Sequence, residues 1–280
     1  MAKIQTKSDR AVIFIKRKIT AYLSGLSAKS LYGRKHGPKV IVNSLPKSGT
    51  NLLDRTMQNF PYMRSTGSRT LRLWGEPDNK LLRNILNIKP GQYLTAHMQE
   101  NNKIFEIMRE NNILGLMMIR DPRQIIISHY KYVTYIDTNH RTHKAFINMK
   151  NDTERLNAVI NGVDDIVAPI DEVLNRFHGW VNNQNTFIVR FEDLIGEKGG
   201  GTRMAQRGLL IDIAKHLNLS INEHDLERIA AHTFSTKSPT FRSGKLDGWK
   251  NELNDKQKDI IKEKIGYWLI EFGYEKNIKW

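Results

Sequence analysis

Short apolar runs separated by polar turns and helical patterns mark four strands along this chain. They fall at Lys39–Ser44, Gln92–His97, Leu114–Arg120 and Thr186–Phe191. Helical patterns lie between them at Leu52–Phe60, Lys103–Asn111, Pro122–Val133 and Ile170–Val181. More follow at about Arg203–Leu217, Glu223–Ala231 and Asn254–Phe272. Strands and helices in alternation predict an α/β fold: a central parallel sheet with helices on both faces, in one domain spanning residues 1–280. Two stretches are long for connectors, Pro61–Asp78 and Thr134–Lys150. Such loops in compact domains are often lids or binding loops. The Gly-rich patch Lys198–Gly201 reads as a flexible loop before a helix.

Composition supports a packed protein. The chain has 280 residues, of which 39% are hydrophobic, with 10 Phe, 9 Tyr and 5 Trp, so a sizeable core is expected rather than disorder. No apolar stretch approaches the ~18 residues of a membrane span. The run Ala11–Ile15 is stopped by Lys16-Arg17-Lys18 and is too short for a signal-peptide core, so a cytoplasmic protein is expected. The absence of cysteine excludes disulfides, thiol nucleophiles and Cys-ligated zinc. A formal net charge of +15 favours anionic partners. The basic residues are scattered and form no stripe interleaved with aromatics, so no nucleic-acid partner is expected.

Three segments carry the chemistry. In the first, the run Val40–Val42 enters the turn Leu45-Pro46-Lys47-Ser48-Gly49 and a helix follows. Strand, turn and helix in that order place free N–H groups and a helix N-terminus toward an anion, and Lys47 adds a full charge. The turn is not a Walker A loop, because the lysine precedes the serine and glycine. In the second, an apolar strand runs into Arg120, and Asp121, Pro122 and Gln124 supply an N-cap, a first-turn proline and a capping-box partner. Arg120 then sits at the carboxyl end of a strand, where open α/β sheets bind ligands, and Ser128 follows on the helix. The third, Pro239–Asn251, lacks periodicity and holds a tryptophan, Trp249, that reads as exposed.

With these residues in place a resemblance becomes specific. Pro46–Asn51 resembles the 5′-phosphosulfate loop of the cytosolic-type sulfotransferases. Arg120 and Ser128 resemble their 3′-phosphate segment, with the same eight-residue spacing. Arg242-Ser243-Gly244 followed by Gly248-Trp249-Lys250 resembles their Arg-Lys-Gly loop, and Val189–Leu194 is similar to their Tyr-Glu-Asp strand end. The matches keep the family's order over about residues 39–251. The resemblance implies a P-loop-like three-layer fold and transfer of a sulfuryl group from 3′-phosphoadenosine 5′-phosphosulfate (PAPS) to a hydroxyl or amine without a metal. It implies Lys47, Ser48, Gly49, Thr50 and Asn51 at the 5′-phosphosulfate. It implies Arg120, Ser128, Arg242, Ser243 and Gly244 at the 3′-phosphate, with Phe191 and Thr233 near the adenine. Lys47 would stabilise the leaving group. His97, just after the second strand, would be the general base, with His129 as its rival and His140 and His143 behind.

The sequence departs from the pattern in places. Leu52 stands where the adenine-stacking tryptophan is usual, Phe191 replaces a tyrosine, and Ser243 replaces a lysine with Lys245 nearby. The order Asp247-Gly248 is inverted, and the aromatic at Phe234 is shifted by one position. The family's dimerisation pattern is missing near the C-terminus, and the Gly-rich insertion resembles bacterial members. The acceptor is open: Arg64, Arg69, Arg72, Arg141 and Lys144 on the long loops would suit an acidic glycan or a lipid headgroup. Two other readings stay open, a P-loop-like nucleotide kinase or NTPase and a non-catalytic binder of acidic glycan or nucleic acid.

Overall fold

A computed structural model describes residues 11–12, 14–16, 18–19, 28–235 and 246–280. Its main elements, in chain order, are α1 (Ala28–His36), β1 (Lys39–Ser44), α2 (Thr50–Asn59), β2 (Arg64–Ser65), β3 (Leu71–Leu73), α3 (Asn79–Leu86), β4 (Gln92–Met98), α4 (Asn102–Glu110) and β5 (Ile113–Ile119). There follow α5 (Pro122–Tyr135), α6 (Asp152–Asn161), β6 (Thr186–Arg190), α7 (Arg203–His216), α8 (Glu223–Thr233) and α9 (Asp255–Glu271). Shorter helical turns connect them. No described helix is long and apolar enough to cross a membrane.

Contacts divide the chain into two compact units. The larger holds the sheet. Its strand order is β2-β4-β1-β5-β6, with β3 also on β4, and every pair is parallel. Strands buried on both faces read as near-continuous apolar runs. Val40, Ile41, Val42, Leu116, Met117 and Met118 are accordingly all fully buried. Each such side chain contributes about 1.5–3 kcal/mol on burial.

Asn43, Ser44 and Thr95 are buried polar residues within these strands, and Asn43 has a structural role. Asn43 is fully buried, its amide donates to the Met98 carbonyl (2.8 Å), and its oxygen accepts from the Met98 N–H (2.9 Å). It acts as an extra rung that locks the ends of β1 and β4 together. On α7, His216 reaches the Gly115 carbonyl (3.0 Å). Burial holds the His216 imidazole below its usual pKa, against opposing bonds to the Gly115 and Asn185 backbone.

The smaller unit is helical and contains Arg120–Arg176 and residues 246–280. Its α5 buries Ile125, Ile126, Ile127 and Val133. Gln257, near the start of α9, donates to Asn157 of α6 (2.9 Å) and closes a capping box with Asn254. Trp268 donates to Asn175 (3.2 Å).

The four expected strands are all present, and the fold is the expected parallel sheet flanked by helices. The two long loops are more ordered than their sequence suggests. Pro61–Asp78 contains β2 and β3, and Thr134–Lys150 contains a helix at His143–Asn148. The expected helix Ile170–Val181 is broken into Ile170–Asn175 and His178–Asn182. Helices α3 and α6 were not anticipated. Each starts at a side-chain cap: Asp78 accepts from the Leu81 N–H (2.7 Å), and Asn151 accepts from the Glu154 N–H (3.0 Å).

Candidate active site

The turn after β1 is shaped by backbone geometry. Lys47 adopts a left-handed φ of 74° and Gly49 a φ of 118°. The left-handed region is uncommon for a residue with a side chain, and such strain concentrates at functional sites. Ser48 is fully buried, and its hydroxyl donates to the carbonyls of Leu45 (2.8 Å) and Met118 (3.1 Å). Ser48 thus staples the turn to β5. Helix α2 opens at Gly49 with no side-chain cap. The positive end of its dipole is therefore available to an anion. Thr50 and Asn51 form the first turn of that helix.

Two more predicted residues pack against the turn or the helix that follows it. Phe191 opens a short helix directly after β6 and is buried. A Cβ at Gly49 would lie 2.5 Å from its ring, so glycine is required there by both space and φ. Thr233, at the end of α8, is fully buried and bonds to Thr56 of α2 (3.2 Å) and to the Ile229 carbonyl (2.9 Å). Its hydroxyl is spent on tying α8 to α2.

His97 lies at the end of β4, beside the end of β1. Its Nδ1 is 2.8 Å from the Ser44 carbonyl oxygen and 3.3 Å from the Ser44 hydroxyl. A nitrogen facing a carbonyl carries the hydrogen, which leaves the basic lone pair on Nε2. The Ser44 hydroxyl also bonds to Thr50 Oγ1 (2.6 Å). Ser44, not singled out from sequence, therefore links the helix terminus to the histidine. Its only local signal was its place as the last residue of a strand before a turn.

The other predicted residues belong to the helical unit or lie outside the described residues. Arg120 follows β5 directly, and Ser128 sits within α5; both are half-buried. Arg242, Ser243 and Gly244 lie outside the described residues, as does Lys245. The rival histidine His129 packs edge-on to His140 (6.1 Å between centroids) and Phe146 (6.4 Å). His140 bonds to Thr142 (2.8 Å), and His143 to the Val133 carbonyl (2.7 Å).

The start of α5 differs from its expected form. Asp121 caps the helix, but through the N–H of Arg123 (2.9 Å) rather than through a box with Gln124. The reason is Arg123 itself, whose guanidinium grips the Asp121 carboxylate (2.8–3.2 Å) and also donates to Glu275. Its Cζ lies 3.7 Å from the ring centre of Trp249 and 4.5 Å from that of Trp280. Burial would lower its pKa, yet the two carboxylates hold it raised. Trp249, expected to be exposed, is buried beneath this cation. Nothing near Arg123 in the sequence announces the cluster, because three of its members come from beyond residue 248.

Comparison with known proteins gives the family. The sulfotransferase domain family matches residues 37–273. The chain belongs to that family. The match runs through the turn after β1, His97 and the start of α5. This sulfotransferase also resembles two solved structures in fold. One is mouse sulfotransferase SULT7A1 complexed with PAP, at 16% identity and a TM-score of 0.58, covering 86% of this chain and 90% of that one. The other is retinol dehydratase in complex with androsterone and inactive cofactor PAP, at 14% identity and a TM-score of 0.55, covering 89% and 85%. No curated protein sequence matches.

Proposed function

We propose that this sulfotransferase takes its sulfuryl group from PAPS and passes it to a hydroxyl of an acceptor, with Lys47 and His97 as the catalytic pair. The uncapped, glycine-led helix start at Gly49, with Lys47 in a left-handed conformation beside it, carries the reading. PAP in the two structural neighbours supports the nucleotide.

PAPS supplies an activated sulfuryl group whose departure leaves negative charge on a bridging phosphate oxygen. Lys47 and the N–H groups of the turn stabilise that charge, which is where preorganised donors act most strongly. His97 takes the acceptor proton on Nε2 while the Ser44 carbonyl holds Nδ1–H and fixes the ring. The acceptor oxygen forms the new S–O bond as the bridging S–O bond breaks, and PAP leaves. The family resemblance assigns Arg120 and Ser128 to the 3′-phosphate, and likewise Arg242, Ser243 and Gly244, all residue types that suit an anion. The resemblance assigns Phe191 and Thr233 to the adenine end; Phe191 packs on Gly49 and Thr233 on α2.

The test is the melting temperature of the purified protein titrated with 3′,5′-adenosine bisphosphate, without added metal. A ligand that binds only the folded state raises it. A clear rise that Arg120→Ala removes is the expected result. No rise at millimolar ligand overturns the PAPS reading. A His97→Gln variant that keeps full turnover overturns the base assignment alone.

A further inference from the structure

Three arginines precede β4 in the stretch Pro61–Asp78, and the fold gives them different fates. Arg64 lies in β2, with its Nε buried and its pKa lowered by burial and by Arg34. Arg69 is placed over the Phe14 ring, 4.9 Å from its centre. Arg72 is exposed in the middle of β3, and among the described residues no carboxylate pairs with it.

Register places Arg72 next to the base. In the β3–β4 pair Arg72 is level with His97, and the neighbouring pairs are Leu71 with Ala96 and Leu73 with Met98. On the far side of β4, Asn43 of β1 is level with Ala96, so Ser44 comes level with His97. Level residues on parallel strands send their side chains to the same face, about 4.8 Å apart. Ser44, His97 and Arg72 therefore form a row across three strands. It begins at the helix terminus through the Ser44–Thr50 bond, passes through the base, and ends on a cation. The row is held in place. Thr70 and Thr95 bond through their hydroxyls (3.1 Å) just before it, and the Gln99 N–H donates to the Leu73 carbonyl (3.2 Å) just after it. Trp74, directly beyond β3, is 50% exposed and packs edge-on to Phe177. It offers an aromatic surface beside the cation.

We propose that Arg72 determines acceptor specificity: it selects acceptors that carry an anionic group, a carboxylate first of all, about one strand spacing from the hydroxyl that is sulfated. A hydroxy acid of this kind, such as a uronic acid residue or a hydroxylated acidic headgroup, places its hydroxyl at His97 and its anion at the guanidinium. This rests on His97 being the base in the reading above.

The experiment compares matched acceptors that differ only in charge. These are methyl glucuronide against its carboxamide, and 4-hydroxyphenylacetate against its carboxamide. Each is measured for binding in the presence of PAP and for transfer from PAPS, in the wild type and in Arg72→Gln and Arg72→Lys. The wild type is expected to prefer each anion by about tenfold or more, chiefly through KM, as one charge-assisted contact provides. Arg72→Gln abolishes that preference by weakening the anionic member of each pair far more than the neutral one. Arg72→Lys keeps part of it, and added salt weakens it. If the glucuronide pair shows the preference and the phenol pair does not, the anion is a sugar acid; the reverse result points to an aromatic or lipid-like acid. Equal binding of both members of each pair, or an equal loss for both in Arg72→Gln, overturns the proposal. If PAP still raises the melting temperature in that case, the PAPS reading survives and only this inference falls.

Discussion

The turn after β1 and the cluster around Arg123 both concentrate charge, but they are built by opposite means. The turn is made by backbone: two left-handed φ values, a stapling serine hydroxyl and an uncapped helix end. Its single cation, Lys47, sits on strained backbone. The Arg123 cluster is made by side chains, with a buried guanidinium held between two carboxylates and two indole rings. A charge on a strained turn points to chemistry. A charge whose bonds are satisfied inside a core points to architecture. The two regions should therefore respond differently to the same kind of change.

The largest contrast is expected at Lys47. Lys47→Ala should lower sulfuryl transfer by about a thousandfold, the scale of losing one preorganised donor at a developing charge. Its melting temperature should stay at the wild-type value, and a large drop would show that Lys47 is structural. Arg123→Ala should do the reverse. It removes the cation from the buried Asp121 carboxylate and should cost on the order of 3 kcal/mol in denaturant unfolding. Arg123→Lys should recover only part of that, since an ammonium neither stacks on the indoles nor grips a carboxylate with two bonds. An Arg123→Ala protein of wild-type stability would break the comparison.

Gly49→Ala should give a smaller effect and sharpen the account of the turn. Its Cβ would meet Phe191 and its φ would be strained, for a loss of about 2 kcal/mol. A stabilised variant would mean that the turn adopts another conformation. The smallest effect is expected at His216. Its folded pKa is lowered, so the folded chain keeps it neutral while the unfolded chain takes up a proton below about pH 6.5. The stability this provides is complete above that pH and is lost as pH falls toward the folded pKa. The urea midpoint should fall between pH 7.5 and pH 5.5, and His216→Phe should flatten the fall. An unchanged slope would remove His216 as its source.

Much of the sheet was legible because its strands are buried on both faces and so spell continuous apolar runs. Strands β2 and β3 were not, since two or three residues such as Arg64-Ser65 carry no pattern of their own. They are strands because the edge of β4 offers them partners. The caps of α3 and α6, Asp78 and Asn151, were readable signals within stretches whose polar composition obscured them. The strand–turn–helix that carries Lys47 through Asn51 was legible because a turn is a local object.

By itself the sequence determined what short-range rules determine: the strand–turn–helix with its lysine, the apolar layers, the capped start of α5 and the order of its motifs. Only the tertiary structure decided which distant residues share a place. It linked Ser44 to both Thr50 and His97, set Arg72 of β3 level with His97 of β4, and drew Trp249, Glu275 and Trp280 around Arg123. The physical reason is that strand register and the burial of a cation are settled by contacts between segments far apart in the chain. No local propensity reports such contacts.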